Sequence, residues 1–149
     1  MNALLWYVAG LVVSFAIAWV AALLQLSGYA PVGIVSLGVG LALGAALHVL
    51  AATLRVAGHR RHVVGTVVLA LVTVLAQHAW LYGDFRRQWH EARARSPEVA
   101  LFRPESPWSP REYFSHEVSP QRVVLWCVDA ALIVTAAVGA IAMLERKRP

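Results

Sequence analysis

Residues 123–144 read VVLWCVDAALIVTAAVGAIAML, an apolar run interrupted by Asp129 and Thr135. As a helix it rises about 33 Å, enough to cross the ~30 Å hydrocarbon layer of a bilayer. Three more runs of this kind precede it. Residues 3–24 are broken by Gly10 and Ser14, residues 31–54 hold Ser36, His48 and Thr53, and residues 63–82 hold Thr66, Thr73, Gln77 and His78. Helices apolar on every face at such length point to lipid rather than to a soluble core. The 59% hydrophobic share of the 149 residues exceeds that of an ordinary soluble domain. The expected fold class is an all-α integral membrane protein. Its single domain, 1–149, forms an antiparallel four-helix transmembrane bundle with spans at 3–26, 31–54, 63–82 and 120–144. A helical cap over 83–119 separates the third and fourth spans.

The first run has no Lys or Arg ahead of it and exceeds the ~7–15-residue core of a signal peptide, so it is expected to be retained as a helix. One cysteine, Cys127, excludes an intramolecular disulfide and disulfide-exchange chemistry. The net charge of +5 is accounted for by basic residues at helix ends, so no nucleic-acid partner is expected. Twelve Arg to one Lys, with abundant Ala, point to a GC-rich bacterial genome. On the side of the N-terminus, Arg55, Arg60, Arg61, Arg146, Lys147 and Arg148 crowd against helix ends; seven Arg lie in the long loop opposite. Charge density places the first side, with both termini, in the cytoplasm of a cell-membrane protein.

The long loop contains SPEVALFRPESPWSPREYFSHEVSP, residues 96–120, with four Ser-Pro pairs. Residues 84–95 lack Pro and Gly and carry opposite charges at i,i+4 (Arg87/Glu91, Glu91/Arg95), so the third helix is expected to run about three turns past the membrane. Ser96-Pro97 reads as a helix start leading through Phe102. Ser109-Pro110-Arg111-Glu112 is a capping box, and Trp108 and Tyr113 stand at staple positions, predicting a short helix from Pro110 to Glu117. Ser119-Pro120 opens the fourth span. Pro104, Pro107 and Pro110 share one face of a polyproline II turn, read as a stiff connector before a ligand for an aromatic groove. Phe102, Trp108, Tyr113 and Phe114 are the expected cap contacts, lying on the bilayer interface, covering helix ends or meeting a partner.

Within the spans, Ser36, Gly40, Gly44 and His48 recur every four residues and make one helix face nearly bare, as in close helix packing. The neighbour it packs on is left open between this chain and another copy. Thr66, Ala70, Thr73, Gln77, Trp80 and Asp84 form a bundle-facing stripe on the third helix. Asp129 lies roughly 10 Å inside its end of the bundle, and Gln77 and His78 reach a similar depth, so the three form a candidate intramembrane polar cluster. In the plainest reading Asp129 bonds to Gln77, His78 or Trp80 and fixes the register; otherwise it pairs with another subunit or, with His78, handles protons or cations. His48 and His78 differ in depth by more than about 10 Å, which argues against one shared haem. No cofactor is expected. His59 and His62 belong to a solvated basic loop touching lipid phosphates rather than to a metal site.

No nucleophile elbow, zinc-protease motif or phosphate-binding glycine loop occurs, and no catalytic residue is assigned. His90/Glu91 and His116/Glu117 read as exposed helix residues. The expected function is that of a non-enzymatic accessory, scaffold or assembly subunit acting through its cap and small-residue face, with the lipid bilayer and a membrane-protein partner or a second copy as partners. The alternatives are a small proton- or cation-handling transporter or channel using Asp129 with His78, and a membrane enzyme acting on lipid or quinone.

Overall fold

The computed structural model describes residues 2–27, 33–56, 59–95, 107–117 and 120–146. These residues form helices and no strand: α1 (Asn2–Leu26), α2 (Ile34–Thr53), α3 (His59–Arg95), α4 (Pro110–Glu117) and α5 (Pro120–Arg146). Four of them, α1, α2, α3 and α5, are long and apolar enough to cross a membrane. The expected start at Ser96-Pro97, the loop around Tyr29, Pro104 and Phe102 lie outside the described residues.

The closest neighbours are α2 with α5 and α1 with α3. In both pairs the partner numbers rise together. Ser36 meets Asp129, Gly40 meets Ile133 and Gly44 meets Ala137, a constant offset of 93 residues. Likewise Trp6 covers Gly65, and Gly10 and Ser14 meet Leu69 one and two turns further along. α1 also contacts α2, and α3 contacts α5, so the order round the assembly is α1, α3, α5, α2.

Small residues make these approaches possible. A Cβ on Gly40 would lie 2.5 Å from the Ile133 carbonyl oxygen, and one on Gly44 would overlap the Ala137 backbone. Without side chains the two backbones touch, which maximises their dispersion contact. The bare face of α2 is therefore filled by α5 of the same chain. On α1 the buried set is Trp6, Gly10, Ser14, Ala18, Ala21 and Ala22, another stripe of mostly small residues. Trp6 is buried across this interface, and its Nε1–H donates to the Leu47 carbonyl at 3.1 Å.

The structure departs from expectation at His62 and at Trp80. α3 begins at His59, four residues before the expected span, because residues 59–64 contain neither Pro nor Gly. His62 is accordingly buried, with its ring 5.3 Å from that of Trp6, and does not belong to a solvated loop. The stripe Thr66, Ala70, Thr73 and Gln77 is buried, but Trp80 is 49% exposed and turns away from the packed seam. At the far end of α2, Arg55 takes φ 51°, Val56 N–H donates to Ala51 O, and Arg55 N–H donates to Ala52 O. That is a Schellman ending made without glycine, supplemented by the Asn2 side-chain amide donating to Leu54 O at 2.9 Å.

The register of α2 on α5 is open to a direct test. Gly44→Leu should destabilise the fold by about 1–3 kcal/mol or more through overpacking. Gly38, on the same helix, meets nothing within 4 Å. Gly38→Leu should be neutral or stabilising by up to about 1 kcal/mol, since it only gains helix propensity. Reversible unfolding in mixed micelles measures both; equal effects would show that α2 does not pack on α5 through this face.

Candidate functional site

At the end of the helices nearest α4, side chains from all five elements enclose a cavity of about 140 Å³. Its walls are Gln25 from α1, Ser36 from α2, Val74, Gln77, His78 and Leu81 from α3, Tyr113 from α4, and Trp126, Asp129 and Ile133 from α5. The expected cluster of Asp129, His78 and Gln77 thus borders one chamber. Its hydrogen bonding differs from the expected pattern. Ser36 Oγ–H donates to Asp129 Oδ1 at 2.7 Å, so the carboxyl is tied to α2, whereas Gln77 and His78 face it from α3. Trp80 lies elsewhere, bordering a groove with Trp19, Leu23, Asp84 and Arg87.

His78 is oriented by its own helix. Its Nδ1 lies 2.9 Å from the Val74 carbonyl, one turn earlier. A carbonyl only accepts, so Nδ1 carries the hydrogen, and in the neutral ring Nε2 is left as an acceptor. The ring meets Trp126 edge to face, with centroids 5.0 Å apart and planes at 83°. Gln77 is buried at the seam, and Asp129 is half-buried. The chamber therefore mixes acceptors with aromatic rings and with the apolar side chains of Val74, Leu81 and Ile133.

The roof is built by the sequence around the capping box. Ser109 N–H donates to Glu112 Oε2 at 2.8 Å and Glu112 N–H donates to Ser109 Oγ at 3.3 Å, the reciprocal pattern that starts α4. Trp108 and Tyr113, on either side of it, both pack on Phe85 of α3, with ring centroids at 5.7 and 4.8 Å. Tyr82 adds a second anchor: its hydroxyl donates to the Trp108 carbonyl at 2.9 Å, and its ring lies 5.2 Å from that of Tyr113. Tyr82 closes the apolar run of α3, and the extension of the helix past it carries Phe85 to this place. Exposed charge pairs run along it, Arg87 with Asp84 and Glu91, and Arg95 with Glu91, each worth about 0.3–0.5 kcal/mol. Trp108 and Tyr113 therefore pack against the side of α3, although Trp108 keeps 37% of its surface exposed. Of the expected cap contacts, Phe102 and the Phe114 side chain lie outside the described residues.

The remaining site residues separate by role. Gly40 and Gly44 are packing positions, and His48 continues their face with its Nδ1 buried and unpartnered. Ser36, expected as a small packing residue, is also the donor to Asp129. Gln25 was not singled out from the sequence, because a glutamine in the last turn of an apolar helix reads as an end marker.

The Ser36–Asp129 bond should show as a coupling energy. A double-mutant cycle of Ser36→Ala and Asp129→Ala, read by unfolding in mixed micelles, is expected to give about 0.6–1.7 kcal/mol. Additive effects would mean that the two side chains do not meet. Compared with protein-family models, with curated proteins and with solved structures, the chain matches none, so the chamber's own chemistry carries the functional reading.

Proposed function

We propose that this chain is a multi-pass protein of the cell membrane, folded as an antiparallel four-helix transmembrane bundle with both termini cytoplasmic, and that it handles protons or small cations at Asp129. The observation that supports this reading is the placement of Asp129. It stands in an apolar run yet borders a chamber with His78, Gln77, Gln25 and Ser36. Ionisable residues inside membrane helices are costly, face a bundle interior or cavity, and mark ion and proton pathways. A chamber of this size holds several water molecules, and its walls supply the partners that buried water needs. Asp129 and His78 are the exchangeable proton carriers, Ser36 holds the carboxyl in place, and Gln77 and Gln25 complete the polar wall.

The small-residue face of α2 no longer supports partner binding, since α5 occupies it. A specific observation still favours the accessory-subunit reading at the cap: Trp108 remains partly exposed beside a short helix on the membrane-distal part of α3. Exposed tryptophan in a well-ordered setting is a common anchor for a protein partner.

Two measurements decide between these readings. In proteoliposomes carrying a pH-sensitive dye, an imposed potential should drive a proton or cation flux that Asp129→Asn lowers to the level of empty vesicles while helicity is retained. A native flux unaffected by that substitution would sink the assignment to Asp129. For the second reading, Trp108→Ala should release a stoichiometric partner from the chain purified in mild detergent; a chain that purifies alone in both forms removes it.

A further inference from the structure

Four features of the chamber narrow its occupant beyond the proton or cation of the preceding reading, on which this step rests. First, among the described residues no Lys or Arg lines the walls, whereas Asp129 does. Second, two of the hydrogens at the walls are already committed: that of Ser36 to Asp129 and that of His78 Nδ1 to Val74 O. The His78 Nε2 and the side-chain carbonyls of Gln25 and Gln77 add further acceptors beside Asp129, while the glutamine amide N–H groups donate. Third, the aromatic residues Trp126 and Tyr113 line the walls, and the face of such a ring attracts an ammonium group through its quadrupole. Fourth, Val74, Leu81 and Ile133 give the same small space an apolar side.

A bare alkali or alkaline-earth ion fits this poorly, because hard cations want about six to eight oxygen ligands and no apolar wall. A neutral solute leaves the carboxyl without a charge partner. An amphiphilic cation satisfies every wall at once. We infer that the chamber is a binding site for a small protonated alkylamine, its ammonium group against Asp129 and its hydrocarbon against Ile133, Val74 and Leu81. The size follows from the volume. About 140 Å³ is close to the ~150 Å³ cavity that accommodates benzene, so the occupant has about five or six non-hydrogen atoms.

Isothermal titration of the full chain in nanodiscs tests this with n-butylammonium, its uncharged analogue 1-butanol, and potassium as probes. Saturable binding of one butylammonium per chain is expected, with 1-butanol weaker by about tenfold or more and no displacement by potassium. Asp129→Asn should weaken butylammonium by a similar factor and leave 1-butanol unchanged. Should that variant fail to fold, the contrast between amine and alcohol on the native chain decides alone. Equal binding of the two probes, undiminished amine binding to a folded Asp129→Asn chain, or no saturable heat overturns the inference. An Asp129-dependent proton flux without amine binding removes this inference and leaves the broader reading standing; loss of both removes both.

Discussion

The contact between the α2 and α5 backbones at Gly40 and Gly44 is the constraint on which the rest of the molecule depends. No side chain fits between these glycines and the carbonyls of Ile133 and Ala137, so the helices meet in one register. Carried one turn along, the same register sets Ser36 opposite Asp129 at hydrogen-bonding distance. The chamber is thus a consequence of packing below it. Where the small residues of α2 give way to Ser36, and those of α5 to Asp129 and Trp126, the helices can no longer touch along their backbones, and polar side chains meet in the gap.

A second, independent determinant closes the chamber. A capping box and a proline start α4 at a fixed point, and this start delivers Trp108 and Tyr113 to Phe85 and Tyr82. Tyr113 then completes the wall. Replacing any of these rings changes a lid made of aromatic contacts, each worth about 0.5–1.5 kcal/mol beyond its burial. The long helix α3 links the two determinants, since Gly65 and Leu69 pack on α1 while Tyr82 and Phe85, further along, carry the lid.

Much of this was legible in the residues. Four apolar runs, the extension of α3 to Arg95, the capping box at Ser109 and the bare face of α2 all follow from local spacing, and local spacing is what a single chain displays. The identity of neighbours is not local. Nothing in Ser36-x-x-x-Gly40-x-x-x-Gly44 says whether α3, α5 or a second copy fills it. The matching stripe on α1 through Gly10, Ser14 and Ala18 is hidden, because alanine and valine surround it and small residues carry no contrast there. Ser36 looked like a spacer because a hydroxyl is small; only the partner helix reveals it as a donor. His62 and Trp80 were misplaced for a related reason: periodicity shows which residues share a face, not where along the helix that face ceases to meet a neighbour.

The pairing of α1 with α3 and α2 with α5 also bears on the order in which the molecule is made. Neither tight pair joins helices adjacent in the chain; each waits for a helix two spans later. Chains emerge from the ribosome N-terminus first, at about 5–20 residues per second. α1 and α3 can therefore dock while α2 still exposes Gly40, Gly44 and Ser36 along its length. The carboxyl of the chamber arrives with α5, the last of the described helices. The site that distinguishes this protein is thus absent from every shorter nascent chain, and its assembly coincides with the final helix taking its place.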